Sequence, residues 1–185
     1  SNSLRDLEIR QKDPLVFQVQ DQQLKAGEEA DIHFYAKGFT HIDGYQFSLE
    51  AMGLQILDLK GEELSLNQQH FGWPLQAKNF ITVSWNEPLA SSVPDGKILF
   101  TAKVKALQDV DLKGALLLTS RVTNAEAYRV RDAVGLNLEF IKEGQIVQGN
   151  QFVLYQNTPN PFADETFIGF ILPEKGPVTI KILDI

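Results

Sequence analysis

No cysteine occurs in these 185 residues, and methionine occurs once. The missing thiols exclude a disulfide framework, a thiolate metal site and a cysteine nucleophile, although they do not by themselves separate cytoplasm from exterior. No apolar run approaches the roughly 18 residues that a membrane-spanning helix needs, and no basic amphipathic stretch marks a membrane surface. Positive charge is also short: 17 Lys and Arg stand against 24 Asp and Glu, a formal charge of -7. That is the wrong sign for holding phosphate backbones, so nucleic acid is not an expected partner. The first residues, "SNSLRDLEIRQKDP", lack the apolar core of a signal peptide, and Ser1-Asn2 reads as an expression scar.

What is present is an ordinary globular balance, 43% hydrophobic and 22% charged residues, long enough for one sizeable domain and an appendage. The dominant pattern is period two, the mark of strands with one face buried. In "EADIHFYAK", Ala30, Ile32, Phe34 and Ala36 share one face while Asp31, His33, Tyr35 and Lys37 share the other. The alternation returns with Tyr45, Phe47 and Leu49, with Ile81, Val83 and Trp85, and with Ile98, Phe100, Ala102, Val104 and Ala106. Further strands are expected at Leu15 to Val19, Leu54 to Leu59, Ala115 to Thr119 and Gly135 to Ile141. Turn chemistry at Ala26-Gly27-Glu28, Ile42-Asp43-Gly44 and Pro94-Asp95-Gly96 separates them. Only "TNAEAYRVRD", with Asn124 as a cap, suggests one helical turn, and a loop fits it equally. The fold class predicted is all-β, two packed antiparallel sheets.

The expected organisation is a segment 1–13 with a tag remnant, a sandwich over 14–141, a linker over 142–151 around Gly144 and Gly149, and a unit over 152–185. In that last unit, Thr166 to Leu172 and Val178 to Ile182 read as a hairpin, which alone is marginally stable in water. Its free edge is expected to dock on the sandwich or to pair with another chain.

Candidate sites are few. Asp31 and His33 share a strand face, but zinc catalysis needs three protein ligands, and His41 and His70 fall in expected loops without metal-binding spacing. Asp109 and Asp111 have too few neighbouring carboxylates for a calcium loop and read as a charged turn. Ser84 has no G-x-S-x-G elbow around it. The reading is therefore non-catalytic, with no cofactor and no metal. Trp85, in phase with Ile81 and Val83, belongs to the core. Trp73, with Phe71 and His70, is either a lid on that core or an exposed platform for a sugar ring. Lys97, Lys103 and Lys105 read as a solvated face or edge protection, with an acidic partner as the alternative.

Two stretches resemble known families. The run Leu154-Tyr155-Gln156-Asn157, Pro159-Asn160-Pro161-Phe162, Thr166, Ile168, Phe170 and Leu172-Pro173, followed by "GPVTIKILDI", resembles the C-terminal sorting domain of proteins exported by the Bacteroidetes type IX (Por) secretion system. The two prolines stiffen a crossing into the hairpin, and Phe162 is expected to anchor it. The resemblance implies a partial, Ig-like sorting unit at the end of a larger secreted or cell-surface protein of a Gram-negative bacterium, engaging the secretion machinery through Asn157, Pro159, Asn160, Pro161, Phe162, Thr166, Phe170 and Pro173. Such domains continue past the "KILDI" strand, so the signal here is expected to be truncated.

The second resemblance covers about Leu15 to Ile141. The stretches "AGEEADIHFYAKGFTHIDGYQFSLEA", "ITVSWNEP" and "PDGKILFTAKVKA" are similar to a cohesin-like domain, a nine-stranded jelly-roll. It implies an interaction, adhesion or spacer module whose partner is a dockerin-like or other surface protein. A carbohydrate-binding module on a secreted enzyme, holding polysaccharide through Trp73, Phe71 and His70, is the alternative.

Overall fold

The computed structural model describes residues 13–72, 79–120, 122–130 and 132–147, and of the tail 153–154, 164, 166, 168, 170–171 and 176–181. Its strands are β1 (Leu15–Gln20), β2 (Gln23–Leu24), β3 (Glu29–Lys37), β4 (Ile42–Ala51), β5 (Leu54–Gly61), β6 (Phe71–Gly72), β7 (Phe80–Ser91), β8 (Ile98–Ala106), β9 (Val110–Asp111), β10 (Leu116–Thr119), β11 (Glu126–Arg129), β12 (Asp132–Lys142), β13 (Gln145–Val147), β14 (Val153–Leu154) and β15 (Phe170–Ile171). A single helical turn, α1 (Leu112–Ala115), precedes β10.

One layer runs β5-β8-β3-β1-β12 and the other β12-β11-β4-β7-β6, with β10 beside β4. The long strand β12 belongs to both. Its first half pairs antiparallel with β11 (Asp132–Gly135), and its second half pairs parallel with β1, from Leu136 opposite Leu15 to Ile141 opposite Gln20. The result is a jelly-roll β-sandwich.

Alternation puts the apolar sets between the layers. Ile32, Phe34 and Ala36 of β3, Phe47 and Leu49 of β4, and Phe100, Ala102 and Val104 of β8 are all buried. Phe17 of β1 sits at the centre, edge-on to Tyr45 at 5.5 Å, Phe47 at 5.4 Å and Phe100 at 5.5 Å. Each such ring removes roughly 150–250 Å² from water, the largest single contributions to this core. In β8 the alternation breaks: Ile98, expected to face in, is only partly covered and Leu99 is buried beside Phe100 instead, because a register shift opposite Phe34 and Tyr35 turns the chain.

Four expectations are corrected. The stretch around Ala125 to Arg129 is no helical turn but strand β11, where only Ala127 is buried, so the apolar alternation that marks a strand is missing from its sequence. The turn expected at Ile42-Asp43-Gly44 is the bulged start of β4. The linker expected from Lys142 begins instead with β13, which folds back on β12 and pairs Phe140 with Val147. Its two-residue turn, Glu143 (φ 52) and Gly144 (φ 78), has left-handed backbone at both positions, the geometry that matches strand twist in a hairpin. In the tail, β14 pairs with β15, whereas the second strand expected from Val178 is not formed over 178–181, and Val178 and Ile180 are exposed there. Pro177, with no N–H to give a ladder, precedes it.

Candidate functional site

The two outer faces of the sandwich differ in chemistry. On the β5-β8-β3-β1-β12 layer, acids and lysines answer one another: Lys103 Nζ is 3.4 Å from Glu29, Lys37 Nζ is 3.0 Å from Glu139, and Lys60 Nζ is 3.2 Å from Glu62. Gln18 also donates to Glu139. Lys97 lies 3.9 Å from Glu63 at one end, and Lys105 stands opposite Glu29 in the ladder. These exposed pairs are each worth little, but they leave this face charged and solvated. It is the solvated face expected for the lysine row.

The outer face of β6-β7-β4-β11 carries mostly small or uncharged side chains, with the acids Glu50 and Glu126 among them. Gly44 stands between Asn86 of β7 and Tyr128 of β11, and Gln46 stands between Ser84 and Glu126. Glu126 Oε1 accepts from Gln46 Nε2 (3.0 Å) and from the Tyr128 hydroxyl (2.6 Å), which fixes both side chains across the strands. Further along, Ser48 is covered by the loop between β10 and β11, whose Val122 and Thr123 N–H groups donate to its Oγ.

A groove of about 380 Å³ opens on this face, lined by Asp43, Gly44, Gln46, Ser84, Asn86, Glu87 and Tyr128, with Tyr45 and Trp85 beneath. Its floor depends on Gly44. A Cβ there would stand 3.0 Å from the Trp85 carbonyl oxygen, 3.4 Å from Asn86 Cβ and 3.5 Å from Tyr128 Cδ2, filling the notch. Its rim comes from a break in register: Ile42 pairs with Ser91 and Gly44 with Asn86, so residues 87–90 of β7 bulge out against Asp43 alone. Leu89 on that bulge is 80% exposed.

Under the groove, Trp85 and Tyr45 form the rigid support expected of Trp85 as a core residue. Both are buried, their rings stacked 5.2 Å apart. Burial pushes the Tyr45 phenol well above the usual tyrosine range, because the anion has no water to solvate it.

The other sequence candidates are dispersed over the sandwich. Asp31 is exposed and faces Lys103 across the ladder, and His33 Nδ1 is hydrogen-bonded to Thr101 Oγ1 at 2.9 Å. His70 Nδ1 accepts from the Asn67 N–H, and the His41 N–H donates to Ser92 Oγ. Asp109 takes Lys25 Nζ and the Ala26 N–H, each at 2.9 Å, as a charged turn does. That hydrogen bond from Lys25, then the one from the Ala26 amide, hold the Asp109 carboxyl below its ordinary range. Asp111 pairs in β9 with Gln23. Ser84 lies exposed in the groove wall, and its ladder partner is Gln46. Phe71 is half-buried and packs on the core, while Trp73 lies outside the described residues. Of the sorting-motif residues, Thr166 is partly covered and Phe170 lies in β15, exposed. Asn157, Pro159, Asn160, Pro161, Phe162 and Pro173 lie outside the described residues.

No protein-family model matches the chain, and no curated protein matches it in sequence. Solved structures do match it in fold. A type I cohesin of Clostridium thermocellum, solved in a cohesin–dockerin complex, superposes with TM-score 0.50 at 15% identity over 70% of this chain and 100% of that one. A non-cellulosomal cohesin of the archaeon Archaeoglobus fulgidus gives 0.51 at 16%, covering 70% and 90%. The sixth cohesin of scaffoldin B from Acetivibrio cellulolyticus, solved with a dockerin, gives 0.52 at 9%, covering 72% and 100%. At such identities the likeness is one of fold, and it establishes the cohesin-like jelly-roll.

Proposed function

We propose that the sandwich is a non-catalytic docking module that holds a protein partner on the outer face of β6-β7-β4-β11. One observation carries this reading: the contrast between a face of paired lysines and glutamates and an opposite face where the small or neutral Gly44, Gln46, Ser84, Asn86 and Tyr128 form a groove, with the carboxylates of Asp43, Glu87 and Glu126 beside them. Interface cores are depleted in charge and enriched in tyrosine, because stripping water from a paired ion costs more than it returns. Gln46, Ser84, Asn86 and Tyr128 meet that description, on strands fixed from below by the Trp85–Tyr45 stack. Two of the fold neighbours were solved holding dockerins, which makes a dockerin-like surface protein the partner class proposed here.

The sequence resemblance of the tail supports a setting for this module. It would sit at the end of a larger secreted or surface protein of a Gram-negative bacterium, exported through a type IX machinery that reads the segment 152–185. Deleting that segment from the parent protein is expected to leave it in the periplasm, and unchanged export would remove this setting.

The docking reading is tested by placing a photo-crosslinking amino acid at Ser84 or at Asp31 and exposing each protein to a surface-protein extract. A discrete crosslinked partner from position 84 and none from position 31 is expected. The reverse pattern would assign docking to the other sheet.

A further inference from the structure

We infer that the partner meets this sheet as a strand: an extended segment of a different protein pairs its backbone with the edge of β7 along residues 84–87. The inference rests on the docking reading and adds the form of the occupant.

It follows from where the backbone hydrogen bonds stop. β7 runs from Phe80 to Ser91 and pairs along one side with β4, but on its other side β6 reaches only Thr82 and Val83. Pro88, which has no N–H, closes the stretch at its far end, where the strand bulges. Between these limits alternate residues turn their N–H and C=O groups away from β4, and among the described residues no group receives them. The turn Gln68–His70 that leads into β6 keeps its bonds to itself: the His70 N–H donates to the Asn67 carbonyl, and the Gln69 N–H to Asn67 Oδ1. Ser84 and Asn86 are exposed and uncharged, so neither places a charge over the edge.

The edge at the other end of the strand order, β5, is closed. Leu57 bulges out of register there, Asp58 Oδ1 accepts the Leu59 N–H at 2.8 Å, and Lys60 pairs with Glu62. Such bulges and charges keep a strand edge from recruiting another chain. Without them, residues 84–87 present a backbone surface whose complement is another extended backbone, because only that offers N–H and C=O groups at matching spacing. A second copy does not fit. Two-fold pairing would set residue 84 of one copy opposite residue 87 of the other and drive each bulge at 88–90 into the other copy's β6, which holds the edge beside Val83. The chain as a whole carries -7, so two copies also repel. A short segment of a different protein meets neither obstacle. Within the chain, residues 176–181 are exposed and outside any strand, which makes them the rival donor.

The test uses the full chain, 15N-labelled, with acetyl-Thr-Val-Thr-Val-Thr-amide as the strand probe. The same peptide N-methylated throughout is the control, which keeps the side chains and loses the donors. Without peptide, fast amide exchange is expected at the outward N–H groups among residues 84–87. The probe should give saturable shifts there and slow that exchange at least several-fold, with no effect at residues 57–60 of β5, and the control should do neither. Equal shifts from the control, equal effects on β5, or no response at residues 84–87 would overturn the inference. Outward amides already slow in the free chain would overturn it too, and their release by Ile180→Pro would make the tail the occupant. Each of these outcomes leaves the docking reading standing, because crosslinking from position 84 tests that separately.

Discussion

The rings of Tyr45 and Trp85 stack 5.2 Å apart at 27° on paired positions of β4 and β7, and the Tyr45 hydroxyl is buried with no hydrogen-bond partner among the described residues. An aromatic pair contributes about 0.5–1.5 kcal/mol beyond its buried area, whereas an unsatisfied buried hydroxyl costs about 1–3 kcal/mol. Ring and hydroxyl therefore work against each other at this position.

Tyr45→Phe keeps the stack and removes the orphan, so it should leave stability unchanged or raise it by about 1 kcal/mol. The pH dependence gives a second readout. The folded phenol ionises far above the unfolded value of roughly 10, so below that value this group does not penalise folding. As pH rises past 10 the unfolded chain loses the proton first, and stability falls. Denaturant melts between pH 9 and 11 should show this loss, with a smaller slope in Tyr45→Phe. A Tyr45→Phe protein about 1 kcal/mol or more less stable would mean that the hydroxyl is satisfied.

Trp85→Ala should cost about 3–5 kcal/mol, because the pocket it leaves is framed by the paired strand β4 and by the buried rings of Tyr45 and Phe39, which cannot collapse into it. Thermal unfolding measures it.

Gly61 and Gly114 make a matched contrast. A Cβ at Gly61 would lie 2.5 Å from the Leu64 carbonyl oxygen and 2.8 Å from the Leu66 nitrogen, both backbone atoms that cannot rotate away. At Gly114, in α1, the added methyl meets nothing within 4 Å. Gly61→Ala should therefore destabilise by more than about 1 kcal/mol, and Gly114→Ala should be neutral or gain about 0.5–1 kcal/mol from a stiffer unfolded chain. Equal melting temperatures for the two would contradict the tight packing after β5.

A chain ending at residue 147 should be more stable than one ending at 141. The shorter one loses the Phe140–Val147 and Ile141–Ile146 pairings and exposes the second edge of β12. Comparing denaturant midpoints of the two truncations checks it, and equal midpoints would restore the boundary expected at 141.

That boundary shows where the sequence stopped being legible. β3, β4, β7 and β8 announce themselves because Ile32, Phe47, Val83 and Val104 recur at period two on one buried face. β11 does not: apart from Ala127, Glu126, Tyr128 and Arg129 serve the surface, the groove and the clamp on the loop before β4, so no apolar period remains to read. β13 was hidden by a polar turn, since Glu143-Gly144 resembles linker composition although its two left-handed residues are what closes the hairpin. The groove could not be read at all, because Gly44, Asn86 and Tyr128 are far apart in the chain and meet only through strand register. The one signal in the sequence is that the outward positions Gln46, Ser48, Thr82 and Ser84 are uncharged, with Glu50 at the end of the same row, whereas Glu29, Asp31 and Lys37 of β3 are all charged.

The most direct test of a docking face is capture by the immobilised chain from a surface-protein extract with two balanced variants. Gln46→Arg with Ser84→Arg places bulk and two units of positive charge in the groove, and Asp31→Gln with Tyr35→Arg adds the same two units on the opposite sheet, all at outward positions. The account predicts that a partner captured by the unmodified chain is lost with the first variant and kept with the second, both variants melting as the parent does. Retention with the groove variant, or loss with the opposite-face variant alone, would contradict it.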